Sequence, residues 1–208
     1  MTLREDQIAE LLHPFLERSA LSIAQLERLR AYLDLLLKWN AKINLTAVRN
    51  PEEIVTRHFG ESLFVAGKLF LEPKVESVID IGSGAGFPGI PLKIWNGAAD
   101  LILIESNQKK AVFLREVVRT LGLDHVSVET GRAEKATVRA ELVTLRAVER
   151  FDQILPTAHG LLEPSGRLAL LIGESQAKTA KNALPDVHWQ PPVPIPLSQN
   201  RTLLVGAR

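Results

Sequence analysis

Leucines at helical spacing dominate the first third of the chain. Leu26, Leu29, Leu33, Leu36 and Leu37 fall on one side of a helical period, which predicts an amphipathic helix with a buried stripe. Ser22 and Gln25, just ahead of them, have the spacing of a capping box. A second helix start is written in Asn50-Pro51-Glu52-Glu53: an N-cap, proline at the first helical position and a carboxylate that can reach back. That helix is expected to run to Lys68. From Val75 the pattern changes to short β-branched or leucine-rich runs, Val75–Ile81, Leu101–Glu105, Val126–Glu129, Leu142–Leu145, Arg167–Ile172 and Thr202–Val205. Helical segments separate them, notably Asn107–Leu121 with a glycine stop at Gly122. This alternation predicts an α/β fold with a mostly parallel sheet covered on both faces. Near the end, Val187–Gln190 and Thr202–Val205 are joined by a proline-rich linker with no helix, which favours antiparallel pairing. Two parts follow: a helical extension over residues 1–70 and an α/β domain over 71–208.

Composition narrows the class. The 208 residues are 46% hydrophobic and 24% charged, as in ordinary globular proteins. Without cysteine there is no disulfide, thiol nucleophile or cysteine-bound metal, in keeping with a reducing cytoplasm. The five histidines are scattered with no ligand-like pair, so no metal site is expected. The charged start, Met1 to Asp6, opens no signal peptide. The stretch Ile81–Leu92 is broken by four glycines and two prolines and is too short for a bilayer, so no membrane association is expected. Lys and Arg total 25 against 24 Asp and Glu, so a nucleic-acid partner must be met by a local basic patch. A monomer is the expected state.

The sharpest chemical signal is Val78-Ile79-Asp80-Ile81-Gly82-Ser83-Gly84-Ala85-Gly86-Phe87-Pro88-Gly89. A buried strand ends in three alternating glycines, and Pro88 opens a helix. Such a loop lets a ligand approach backbone closely at the carboxyl end of a parallel strand. A P-loop would need a lysine ahead of Lys93, and a dinucleotide fingerprint would need glycine where Phe87 stands. S-adenosylmethionine fits better, because its sulfonium and ammonium suit Asp80, whereas a pyrophosphate does not. Glu105, ending the next strand, is placed to hold ribose hydroxyls, and Gly131-Arg132-Ala133-Glu134 falls where such folds seat adenine. A ligand-free tight turn is the plainer alternative.

Other charges are less decisive. Arg146 ends the fourth strand at the edge that faces the ligand crevice. His58 is a candidate catalytic group set against a structural hydrogen-bonding role. Lys38, Lys42 and Arg49, interleaved with Trp39, Asn40 and Asn44, form a candidate RNA-facing patch, with Arg57 beside His58. The alternative is a helix end whose cations complement the dipole, with Trp39 in the core. Lys109, Lys110, Arg115 and Arg119 read as a solvated helix face.

Taken together, Trp39-Asn40, Asn44-Leu45-Thr46, Arg57-His58, Ser62 and the run from Asp80 to Leu92 resemble the bacterial small-subunit ribosomal RNA methyltransferase G (GidB) family. The match continues through Lys110, Phe113-Leu114, Arg132-Ala133-Glu134 and Arg146-Ala147 and covers essentially the whole chain. The resemblance implies a class I S-adenosylmethionine-dependent methyltransferase fold, Rossmann-like, with a seven-stranded sheet, an antiparallel C-terminal strand and an N-terminal helical extension. It implies S-adenosyl-L-methionine as cofactor and 16S rRNA of the 30S subunit as partner, methylated at N7 of the guanosine at position 527. Carried over, Gly82 and Phe87 line the methionine end, Ala133 and Glu134 meet adenine, and Arg146 lies beside the methyl-transfer site. The chain departs from the family in Glu61, where Asp is usual, in Leu145, where Ser is usual, and in Ile172, where lysine is frequent. A non-enzymatic RNA-binding or ribosome-assembly role is the alternative.

Overall fold

Capping chemistry sets the ends of the first helices. The computed structural model describes residues 3–17, 19–70 and 75–208. Helix α1 is Glu5–Leu12 and α2 is Ile23–Ile43, and Ser22 and Gln25 cap α2 reciprocally. Leu29, Leu33 and Leu36 are fully buried, and Leu26 and Leu37 pack against the same core. The helix starting at Pro51 is not uniform. It comprises α3 (Pro51–Ile54), a π-helical turn (Val55–Gly60) and α4 (Glu61–Leu69). Asn50 caps it through the amides of Glu52 and Glu53, while the Glu53 carboxylate turns to Arg57 at 2.6 Å instead of reaching back. Gly60 ends the π turn under the Phe15 ring, where a Cβ would come within 2.5 Å of the ring. A wide turn of this kind is a common device at functional sites.

The α/β part follows as β1 (Ser77–Ile81), α5 (Gly89–Trp95), β2 (Asp100–Glu105), α6 (Gln108–Leu121), β3 (Val126–Thr130), β4 (Ala140–Arg146), α7 (Phe151–Gly160), β5 (Leu162–Gly173), α8 (Glu174–Ala183), β6 (His188–Trp189), β7 (Val193–Pro194) and β8 (Arg201–Ala207). Gly122 caps α6 in the left-handed conformation. The strand order is β3-β2-β1-β4-β5-β8-β6, parallel through β5, with β8 antiparallel to β5 and β6. One strand was not anticipated. Inside the proline linker, Val193–Pro194 forms β7 on β8, so the sheet has eight strands where seven were expected. Proline is tolerated there because β7 is a two-residue edge piece that pairs, among the described residues, with β8 alone.

Strand alternation divides two apolar layers. Ile79, Ile81 and Ile104 face α7 and α8, whereas Val78, Leu101 and Leu103 face the layer built from α1, α2, α4 and α5. The N-terminal helices therefore share one core with the sheet and cover one of its faces. The expected boundary at 70/71 adjoins residues 71–74, outside the described residues. Chain order reverses between β1 and β4, and at that switch point the C-terminal strand ends open into a crevice.

Tyr32 of α2 carries this shared core up to the glycine loop. It is completely buried, its ring stacks on Phe87 at 5.3 Å, and its hydroxyl donates to the carbonyl of Ala85. Tyr32→Phe keeps the stacking and removes that donor. Urea unfolding is expected to show a loss of about 1 kcal/mol, and an unchanged midpoint would contradict the helix-to-loop tie.

Candidate active site

The switch-point crevice is a cleft of about 650 Å³ lined by Gly82, Gly84, Glu105, Ala133, Arg146 and Thr46, among others. Its floor is the glycine loop. Gly82, Gly84 and Gly86 all have positive φ, at 66°, 58° and 95°. At Gly86 a Cβ would fall on the Tyr32 hydroxyl and on Ile90, whereas at Gly84 it meets only ordinary contact. Gly84 is glycine for its backbone and for open space toward the cleft. Most of the loop amides are already used. Gly82 and Ser83 donate to the Ile104 carbonyl, Gly84 to Glu105 Oε2 at 2.8 Å, and Gly86 and Phe87 to the Ser83 carbonyl. A loop so satisfied lacks the fan of free N–H groups with which phosphate-binding loops hold their ligand.

Asp80 is not where the sequence reading placed it. It is fully buried beneath the loop and does not line the cleft. Its Oδ1 accepts from Thr144 Oγ1 at 2.8 Å and its Oδ2 from the Gly89 amide at 3.2 Å. Strand alternation turns residue 80 onto the apolar side that carries Val78, so it braces the loop against α5 instead of facing a ligand cation. Burial pushes its carboxyl up to about 6, against the hydrogen bonds from Thr144, Gly89 and Ser83 that favour the charged form. Between the ordinary value of 3.8 and about pH 6 the folded chain therefore holds a proton there that the unfolded chain has released, and this part of the stability is lost as pH rises through about 6.

Glu105 does line the cleft, and both its oxygens are engaged, Oε2 by Gly84 and Oε1 by the Asn107 amide at 2.7 Å. Each carboxylate oxygen keeps a second lone pair for a hydroxyl. Ala133 and Glu134 lie in the short turn Ala133–Lys135 on the same wall. Phe87 closes the other end within an aromatic cluster of Tyr32, Phe59 and His58.

Arg146 is the centre of that end. Its Nη2 lies 2.7 Å from the Arg57 carbonyl, 2.9 Å from Glu61 Oε2 and 3.0 Å from His58 Nδ1, so that its two hydrogens are shared among three acceptors. Glu61 Oε2 also receives Arg201 Nη1 at 2.8 Å. The guanidinium carbon sits 5.8 Å from the Phe87 ring centroid, and Nε is buried with no hydrogen-bond partner among the described residues. Burial pulls the guanidinium pKa down while Glu61 opposes the shift. Glu61, one methylene longer than the family's usual Asp, is thus the shared carboxylate of two arginines. The departures at Leu145 and Ile172 are buried in the apolar layer against α7 and α8 and do not themselves line the cleft.

His58 cannot serve as a base in this arrangement. Arg146 only donates, so His58 Nδ1 accepts and Nε2 carries the hydrogen, which it donates to Thr46 Oγ1 at 2.8 Å. No lone pair of the ring is left for the cleft. Burial first, then the Arg146 and Arg201 charges, lower its pKa from 6.5 to about 3.

The candidate RNA patch is not brought to the cleft. Lys38 and Lys42 flank a small hollow with Trp39 and Ile43, Arg49 donates to Asn44 Oδ1 at 3.2 Å, and Arg57 pairs with Glu53. Trp39 packs on Phe113, as the helix-end alternative requires. The cations that do line the cleft are Lys110, Arg132, Arg146 and Arg150. Lys110 was assigned to a solvated face because helical spacing does not show which end of α6 meets the crevice. Arg150 was not singled out. It adopts φ 53° at the start of α7, near Ala147 at φ 51°, and only the folded loop reveals either. Among the described residues, no group of three or more His, Asp or Glu side chains could hold a metal.

The histidine geometry yields a direct expectation. In nitrogen-15 spectra of the imidazoles, His58 is expected to stay neutral with the hydrogen on Nε2 down to about pH 4.5, as a pKa near 3 requires. Since the unfolded chain takes up a proton near 6.5, this contribution to stability is complete above about pH 6.5 and declines as pH falls toward 3. A His58 midpoint above about pH 5.5 would contradict the assignment.

Residues 25–190 match the family described as GidB, rRNA small subunit methyltransferase G. A Xylella fastidiosa (strain M23) protein named Ribosomal RNA small subunit methyltransferase G is 42% identical over 160 residues, 74% of either chain. The Halorhodospira halophila protein of the same name is 38% identical over 190 residues, 88% of either chain. With the Nitrosomonas europaea one, identity is 41% over 140 residues, 65% of this chain and 63% of that protein. Among solved structures, a ribosomal protein L11 methylase of Lactobacillus delbrueckii subsp. bulgaricus superposes with TM-score 0.62 at 13% identity, covering 73% of this chain and 79% of the other. A SAM-dependent O-methyltransferase of Thermotoga maritima gives TM-score 0.60 at 15% identity, covering 83% and 71%. Such distant likenesses establish the methyltransferase fold, and the close sequence relatives establish the lineage. The chain belongs to the GidB family of rRNA small subunit methyltransferase G proteins.

Proposed function

We infer that this chain transfers the methyl group of S-adenosylmethionine to N7 of a guanosine in 16S rRNA of the small ribosomal subunit, the guanosine at position 527 by family resemblance. The observation that carries the reading is the glycine loop, which opens on a cleft at the switch point while most of its own amides are spent inside the protein. That suits a nucleoside without phosphates. The residues present fit it: Gly84 leaves the space a side chain would fill, and Arg146 Nε is buried with no hydrogen-bond partner among the described residues. Gly82, Gly84 and Phe87 would hold the methionine end, Glu105 the ribose hydroxyls, Ala133 and Glu134 the adenine, and Arg146 the region of transfer. Bound there, S-adenosylmethionine supplies a methyl group activated by a sulfonium.

The protein's part is positioning. Guanine N7 has an in-plane lone pair and no proton, so transfer requires no base. The site agrees, because His58 has no free lone pair and Arg146 stays protonated. What these residues contribute is a rigid wall that orients the base for in-line attack. Lys110, Arg132 and Arg150 at the cleft supply charge for RNA phosphates. No helix among the described residues is long and apolar enough to cross a membrane, and a ribosomal substrate places the reaction in the cytoplasm, with the protein acting as a monomer.

The test is methyl transfer from labelled S-adenosylmethionine to 30S subunits from a strain lacking the enzyme, followed by nucleoside analysis. 7-Methylguanosine is the expected product, and the single-turnover rate is expected to be nearly flat from about pH 6 to 9. Gly84→Val, which fills the cleft floor, is expected to abolish both calorimetric cofactor binding and transfer. Binding of S-adenosylmethionine by the wild-type protein without any methyl incorporation would favour a non-enzymatic role.

A further inference from the structure

The hydrogen-bond polarity of the buried network runs one way and ends in the cleft. Arg146 donates to His58 Nδ1 at 3.0 Å, and His58 Nε2 must then donate to Thr46 Oγ1 at 2.8 Å. The Val48 amide also donates to Thr46 Oγ1, at 3.2 Å. Both lone pairs of the Thr46 hydroxyl are thus taken, and its remaining capacity is the O–H itself. Among the described residues, no protein acceptor takes that proton.

The threonine is held where it stands. Asn40, buried in α2, accepts from the Thr46 amide at 2.9 Å and donates to the Val48 carbonyl at 3.3 Å, clipping the loop after α2. Asn44 turns the chain there in the left-handed conformation. Thr46 is only partly buried, and it lines the cleft at the end that holds His58, Phe87 and Arg146.

We propose that the Thr46 hydroxyl is a fixed hydrogen-bond donor to the O6 carbonyl of the target guanine and so selects guanine over adenine, a proposal that rests on the guanine-N7 reading above. The two purines share N7 as an acceptor and differ beside it. Guanine carries the O6 acceptor there and adenine carries an amino donor. An ordinary threonine could rotate to accept from the amino group. This one cannot, since both lone pairs are committed to His58 and Val48. Neutral His58 matters for this reason: the imidazole hands Thr46 a hydrogen and thereby fixes the hydroxyl's polarity. His58 is a positioning residue in this scheme, and Thr46 is the group that touches the base.

The experiment compares single-turnover methylation of reconstituted 30S subunits carrying guanine or 2-aminopurine at the target. The analogue keeps N7 and the 2-amino group and lacks O6. For the wild-type protein, guanine is expected to react at least about tenfold faster, the worth of one hydrogen bond to a neutral acceptor. Thr46→Ser is expected to retain that ratio. Thr46→Val, with cofactor affinity checked by calorimetry, is expected to slow guanine and narrow the ratio by about tenfold. A Thr46→Val protein that is slow on both bases with the wild-type ratio would make Thr46 merely structural and overturn the proposal. If Thr46→Val does not fold, the wild-type comparison decides, and near-equal rates on the two bases overturn it. Absence of 7-methylguanosine from the wild-type reaction would instead remove the functional reading, and this proposal with it.

Discussion

A guanidinium buried between two parts of the chain is the constraint on which the rest of this structure depends. Arg146 ends β4 with almost no solvent access, and removing its charge from water is costly unless good partners replace the lost hydration. Those partners come from the helical layer: the Arg57 carbonyl and His58 from the π turn, and Glu61 from the start of α4. Arg201 of β8 shares the Glu61 carboxylate and brings the antiparallel strand into the same cluster. Two guanidiniums on one carboxylate leave an excess of positive charge, and the nearby Asp80 carboxylate acts on Arg146 in the opposite sense. The helical layer, the sheet and the cleft thus all meet at this guanidinium.

This arrangement explains why the N-terminal helices belong to the site. A sheet with bare glycine loops would have only one side of a crevice. The helices supply Tyr32 beneath the loop, His58 beside Phe87 and Thr46 on the opposite lip. Each reaches its place because the helical layer shares the apolar core that holds Val78, Leu101 and Leu103. The π turn contributes as well, presenting both a carbonyl and an imidazole nitrogen to one Nη2 atom.

Much of this was legible in the residues. Capping signals gave the start of α2 and of the helix at Pro51, the glycine after Leu121 gave the stop of α6, and short β-branched or leucine-rich runs gave the principal strands. The glycine loop and Glu105 emerged at the cleft because alternating glycines after a buried strand have few other uses. Where a residue lies elsewhere than expected, the reason is physical. Asp80 was read as facing a ligand because proximity in sequence to the loop does not reveal the side of the strand, and alternation puts it underneath. The basic cluster Lys38, Lys42 and Arg49 lies apart from the cleft, and charge spacing carries no information on where a helix end points. Conversely, the polarity of the Arg146, His58 and Thr46 chain is invisible in sequence, since it depends on contacts across 88 and 12 residues.

The most direct test of this account is the stability of Glu61→Gln, measured by urea unfolding alongside calorimetric binding of S-adenosylmethionine. The substitution keeps the shape and removes the carboxylate that Arg146 and Arg201 share. If the buried guanidinium organises the fold and the cleft together, stability falls by about 3 kcal/mol or more and cofactor affinity falls with it. A variant within about 0.5 kcal/mol of the wild type that binds S-adenosylmethionine normally would contradict that central claim.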